Sequence, residues 1–177
     1  MLKRFFPKAY VDSVFAVDYK ALYQQGYRAV IFDIDNTLAP YHVRHPSAKT
    51  TGLLKRLVRL GFGVCLLSNN KEARVAEFNK SLNLAAVHRA GKPGVKGVSR
   101  ALEELSSTPE TTVLIGDQLF TDIWCGNRKG LLTILVKPIS NRDEWTVRPK
   151  RGLERLVLKS YLKAQNEPTN YILWTGK

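Results

Sequence analysis

The sequence predicts an α/β fold, a three-layer sandwich around a five-stranded, mainly parallel sheet. Two observations carry this reading. Five short apolar runs alternate with segments of helical periodicity, and polar or small residues gather directly after most of the runs. Strands that are apolar nearly throughout belong in a sheet covered on both faces, and right-handed crossovers through helices make it parallel.

Taken in order, the first strand is Arg28 to Asp33, with β-branched Val30 and Ile31 at its centre. Thr51 to Leu60 follows as a helix that places Leu53, Leu54, Leu57 and Leu60 on one face. Gly63 to Leu67 is the second strand. Lys71 to Leu82 reads as a helix with Glu72 early in it, where the helix dipole favours an acid. Leu84 to Val87 is a weaker third strand. Val95 to Leu105 is helical, Thr111 to Ile115 is the fourth strand, Thr121 to Lys129 is helical, and Leu131 to Val136 is the fifth strand. With no internal repeat or low-complexity linker, residues 1–177 are expected to form one domain. Its core spans about 28–137, with a basic segment at 1–27 and a basic amphipathic segment at 148–164 as flanks.

Composition narrows the class. A hydrophobic fraction of 44% and a charged fraction of 24% belong to a globular chain, and the longest apolar runs are far too short to span a bilayer. Lys3 and Arg4 begin no secretory signal, because no long apolar run follows them. Two cysteines, Cys65 and Cys125, make neither a disulfide framework nor a zinc site, which suits a reducing cytoplasm or an organelle matrix. The net charge of +13 implies an anionic partner: nucleic acid, an anionic membrane surface or an acidic substrate.

In open parallel sheets, ligands bind beyond the carboxyl ends of the strands. Asp33 and Asp35 follow the first strand, Ser68 the second, and Gly116 and Asp117 the fourth. Two carboxylates two residues apart after an apolar strand could share a magnesium ion, which prefers hard oxygen ligands. One could then attack phosphorus, and the other could protonate the leaving oxygen and later activate water. An acid-rich turn that merely ends a strand is the plain alternative. A calcium EF-hand fits less well, since its glycine and downstream glutamate are missing. Ser68 stands before a helix, where a phosphate oxygen could bind, although a serine there is also an ordinary N-cap. Lys92, between Gly91 and Pro93, is a suitable point charge for phosphate. Asp117 could complete the metal site, and Asp122 could hold a metal water or Lys92.

These four elements, in this order and at these strand ends, resemble the motifs of the haloacid dehalogenase (HAD) superfamily of phosphatases. The resemblance implies that Asp33 is the nucleophile and a magnesium ligand, and that Asp35 is the general acid/base with its backbone carbonyl on the metal. By the same resemblance Thr37 supports the motif loop, Ser68, Asn69 and Lys92 bind phosphate, and Asp117 is the remaining protein ligand. Gly116 and Asp122 are supporting residues. Only about a dozen residues, Ala39 to Thr50, separate the first motif from the next helix, so no large cap domain fits. Superfamily members without caps tend to act on large substrates or on lipid head groups. The segment from Pro40 to Pro46, with His42 and His45, is then a flap beside the site.

The flanks narrow the resemblance. The residues from Met1 to Tyr10 and from Tyr27 through Asp33 and Asp35 to Tyr41 are similar to the YqeG type of small capless phosphatases, of HAD subfamily IIIA. That family is in turn similar to mitochondrial phosphatidylglycerophosphate phosphatases. The implied reaction is magnesium-dependent dephosphorylation of phosphatidylglycerophosphate, by a peripheral protein at the inner face of a membrane. The alternative is a soluble metabolite or a nucleic-acid phosphate. On a helical wheel Leu153, Leu156, Val157 and Tyr161 fall on one side of the C-terminal segment, and Arg151, Arg155 and Lys159 on the other. Such a helix suits an anionic membrane surface, or it packs its apolar side on the sheet.

Overall fold

The computed structural model describes residues 2–140 and 148–166. Six strands form one parallel sheet: β1 (Ala9–Val11), β2 (Ala29–Phe32), β3 (Gly63–Leu67), β4 (Ala85–Val87), β5 (Thr112–Gly116) and β6 (Leu132–Val136). Their spatial order is β1-β6-β5-β2-β3-β4, every neighbouring pair running parallel. The sheet therefore has six strands where the sequence predicts five. The extra strand, Ala9-Tyr10-Val11, is an edge strand only three residues long, too short to show a periodicity.

Alternation along the strands builds two cores. Val30, Phe32, Val64, Leu66, Val113 and Ile115 point to one face, where they meet Leu53, Leu54 and Leu57 of α2 (Ala48–Arg59) and Val75 and Phe78 of α3 (Glu72–Asn79). Helix α1 (Tyr19–Gln24) adds Tyr19 and Leu22 to this face. Ile31, Cys65, Leu67 and Leu114 point to the other face, against Val98, Ala101 and Leu102 of α4 (Lys96–Glu104) and Cys125 of α5 (Trp124–Lys129). Both thiols are buried, and burial pushes Cys65 up to about 12 and Cys125 to about 11, so neither is a ready nucleophile. Ser47 caps α2 by accepting a hydrogen bond from the Thr50 N–H at 3.1 Å. Leu60, expected on the buried face of that helix, lies at its C-terminal cap and is exposed.

A third cluster joins the two chain flanks. Phe5, from a 3-10 turn at Leu2–Phe5, packs with Leu119, Ile123, Leu135 and Val157. Its ring meets Phe120 and Trp124 edge-on, and Phe6 meets Tyr161 likewise. Helix α6 (Arg148–Asn166) thus lies on the domain through Val157 and Tyr161, and the buried Glu154 accepts the Phe120 N–H at 3.1 Å. This corrects the wheel reading, in which Leu153 and Leu156 share the face of Val157. Both leucines are exposed, because the packed arc is centred on Glu154, Val157 and Tyr161. The side chain of Arg151 lies outside the described residues.

Replacing Leu57, which is fully buried between α2 and the sheet, removes packing without touching a polar group. Leu57→Ala should lower unfolding free energy by about 2–5 kcal/mol in urea titrations.

Candidate active site

The strand order reverses between β5 and β2: the chain proceeds from β2 to β3 and β4 on one side, then returns to β5 and β6 on the other. This switch opens a crevice at the carboxyl ends of β5, β2 and β3. Asp33 leaves β2 there, Asp117 leaves β5, and Ser68 leaves β3.

Lys92 lies at the centre. Its Nζ donates to Asp33 Oδ1 at 2.6 Å, to Asp122 Oδ1 at 2.6 Å and to the Leu67 carbonyl at 3.0 Å, which uses all three of its protons. Burial opposes the lysine's charge, but Asp122 and Asp33 outweigh it and hold the ammonium protonated. Burial raises the Asp33 carboxyl well above the usual carboxylate range; Lys92 pulls it down, and Asp122 and Asp117 add to the rise.

Oxygens of Asp33, Asp117 and Asp122 all lie within 4.8 Å of one another, and all three residues are buried. Lys92 meets two of these carboxylates, Asp33 and Asp122, each at 2.6 Å, in a desolvated site. Asp33 Oδ2, the oxygen that does not meet Lys92, is buried with no hydrogen-bond partner. A divalent cation would give that oxygen a partner, and an all-oxygen donor set suits a hard ion such as magnesium.

The surrounding loops are held by their own hydrogen bonds. After β2 the chain turns tightly, with the Ile34 carbonyl accepting the Leu38 N–H at 2.9 Å. Asn36 sits in this turn at φ 64°, a left-handed conformation that asparagine tolerates better than most residues. Thr37 donates to Asp117 Oδ1 at 3.3 Å and so ties the first loop to the fourth. Ser68 is buried, and its Oγ accepts the Asn70 N–H at 3.1 Å. Asn69, expected among the phosphate-binding residues, has its amide on the backbone of Lys92: Oδ1 accepts that N–H at 2.8 Å and Nδ2 donates to the carbonyl at 3.0 Å. It fixes the loop that presents the lysine. Gly116 leaves room for Asp122, whose carboxyl occupies the space a Cβ would need.

Asp35 is not one of the buried triad, and its side chain is 17% exposed. Its Oδ2 accepts from Asn70 Nδ2 at 2.8 Å and its Oδ1 from Arg74 Nη2 at 2.9 Å. Neither Asn70 nor Arg74 was legible as a site residue, since one arginine on an amphipathic helix carries no motif. The loop at 40–47 holds no helix or strand, and it leans on α3 through Arg44 and His45, 3.5 and 3.9 Å from Glu77.

Comparison with known proteins places this geometry in a family. A HAD-hydrolase-like family model matches residues 89–163. The Bacillus subtilis protein named "Probable phosphatase YqeG" is 34% identical over 161 residues, which span 90% of this chain and 94% of that one. The phosphatidylglycerophosphate phosphatase 1 of Arabidopsis thaliana, named as chloroplastic/mitochondrial, is 29% identical over 94% of this chain. The chain spans 51% of that plant protein's length. Among solved structures, a HAD phosphatase from Thermococcus onnurineus aligns with a TM-score of 0.54 at 14% identity, over 67% of this chain and 90% of that one. The cobalt-bound deoxy-D-mannose-octulosonate 8-phosphate phosphatase of Haemophilus influenzae aligns at 0.51 and 14% identity, over 82% and 95%. At that identity the structural likeness concerns the fold. The chain belongs to the YqeG family of HAD-type phosphatases.

A methyl group at Gly116 would displace Asp122 and, with it, one of the acceptors of Lys92. Gly116→Ala should therefore cut phosphatase turnover by about 100-fold while the far-ultraviolet circular dichroism stays unchanged.

Proposed function

We propose that the protein is a magnesium-dependent phosphomonoester hydrolase that works through a phosphorylated Asp33, and that its substrate is phosphatidylglycerophosphate at a membrane surface. The observation that carries the mechanism is Asp33 itself: one oxygen fixed by Lys92 at 2.6 Å, the other buried with no hydrogen-bond partner.

In this reading Asp33, Asp117 and Asp122 or its bound water, with the backbone carbonyl of Asp35, would hold the ion. When bound, it would supply positive charge against the acidic cluster and the substrate phosphate. Asp33 attacks phosphorus, so that an Asp33 O–P bond forms as the bond from phosphorus to the leaving oxygen breaks. Asp35 gives that oxygen its proton. Water then attacks the acyl phosphate and gives a proton back to Asp35, and Asp33 and inorganic phosphate are regenerated. Lys92, positioned by Asn69 and Asp122, supplies fixed positive charge beside the phosphoryl oxygens, and Ser68 supplies a hydroxyl and a backbone turn.

Three features support a lipid substrate. The similarity to plant phosphatidylglycerophosphate phosphatase covers nearly the whole chain. The loop over the site is short, so a large or surface-bound substrate has access. The outer arc of α6 exposes Leu153 (60%), Leu156 (61%) and Leu162 (44%) around Arg155, Lys159 and Lys163. Leucines bordering a basic stripe fit an anionic bilayer, with apolar groups in the interface and ammonium groups among the head groups. No helix among the described residues is long and apolar enough to cross a membrane, so contact through α6 would be peripheral.

Phosphate release from phosphatidylglycerophosphate in mixed micelles, beside soluble phosphomonoesters and nucleotides, tests the substrate. The expected result is magnesium-dependent preference for the lipid; preference for a soluble or nucleic-acid phosphate overturns that part. Asp33→Asn should abolish turnover with every substrate and leave the thermal midpoint within a few degrees of wild type. The pair Leu153→Glu and Leu156→Glu should reduce pelleting with anionic vesicles, most clearly at low salt, where about 1 kcal/mol per basic residue is in play.

A further inference from the structure

Helix α3 reaches Asp35 through Arg74. Its Nη2 donates to Asp35 Oδ1 at 2.9 Å, and its Nη1 donates to the Arg44 carbonyl of the 40–47 loop at 3.2 Å. The guanidinium carbon stands 5.4 Å from the ring centroid of Phe78, a residue with no exposed surface. Arg74 and Asp35 are well covered, at 16% and 17% side-chain exposure, so this is no solvent-swept surface pair. The Arg74 Nε is buried without an acceptor, which an arginine pointing to solvent would avoid. The carboxylate is held on its second oxygen by Asn70 at 2.8 Å.

We infer that Arg74 is a positioning residue that aims the Asp35 carboxyl at the leaving oxygen of the substrate, with Asn70 as the second fixing point. The inference rests on the acid–base role of Asp35 given above. A carboxylate on a turn after a strand has two free side-chain torsions, and a proton-transfer group must sit within hydrogen-bond reach of the atom it serves. Two donors, one on each oxygen, remove that freedom. Arginine suits the task because its planar fork can meet a carboxylate and a carbonyl at once, which a lysine ammonium does less well. The same fork joins Asp35 to the flap, so one side chain touches both the wall of the site and its proton donor.

Acid assistance matters for an alkyl leaving group and little for p-nitrophenolate, which departs unprotonated. The value of kcat/KM reports the step in which the leaving group departs. The experiment measures kcat/KM of the full chain with a glycerol-type phosphate monoester and with p-nitrophenyl phosphate. It compares wild type, Arg74→Ala, Arg74→Lys, Asp35→Asn and the double variant Arg74→Ala with Asp35→Asn. Arg74→Ala should lose about 10- to 100-fold on the alkyl phosphate and less than about threefold on p-nitrophenyl phosphate. Arg74→Lys should recover part of the loss, and the double variant should be no worse than Asp35→Asn. An equal fall on both substrates, or additive losses in the double variant, would overturn the inference and make Arg74 a packing residue. If Asp35→Asn itself shows no leaving-group dependence, the acid role fails and the inference with it. If Asp35→Asn shows that dependence and Arg74→Ala does not, the inference alone fails.

Discussion

The buried contact of Lys92 with Asp33 and Asp122 is the constraint on which the rest of the site depends. Isolated charges removed from water are costly, and they are tolerated only when paired and hydrogen-bonded. Here one ammonium uses its three protons on two carboxylates and a carbonyl, beside a third buried acid, Asp117. That crowding of acids around one lysine gives the crevice its character. It suits a divalent cation, and it brings the Asp33 carboxylate, a fixed cation and further acids within a few ångströms. Asn69 and Gly116 serve the same contact from outside: one holds the backbone that presents the lysine, the other clears space for Asp122.

The sheet explains why these groups can meet at all. Asp33, Asp117 and Ser68 come from three strands that are neighbours in space but far apart in the chain, and the switch in strand order opens the crevice between them. Apolar residues on both faces of β2, β3 and β5 keep those strands rigid, so the polar ends inherit a fixed spacing. The shorter outer elements are less constrained. Among them, the 40–47 loop is tied to α3 by Arg44, His45 and Arg74, which gives the site a small wall in place of a cap.

Much of this was legible in the sequence, for physical reasons. The strands buried on both faces appear as unbroken apolar runs, and the acids at their ends mark the one place where polar groups can gather. The first strand was not legible, because Ala9-Tyr10-Val11 is short and half-buried at an edge. Helix α6 showed its amphipathic character but not its orientation: the wheel favoured the leucines, whereas the aromatic contacts of Tyr161 and the bond from Phe120 to Glu154 decide which arc is inside. Arg74 escaped altogether, since its role exists only once α3 is laid beside the turn that carries Asp35.

The account turns on Asp33 becoming phosphorylated, and trapping that species is the most direct measurement. Enzyme turning over substrate with magnesium would be quenched in acid, digested and examined by mass spectrometry. The account predicts phosphate on the peptide containing Asp33, and none in the Asp33→Asn protein. Turnover without any phosphorylated peptide, with inversion instead of retention at the phosphorus of a chirally labelled substrate, would contradict it.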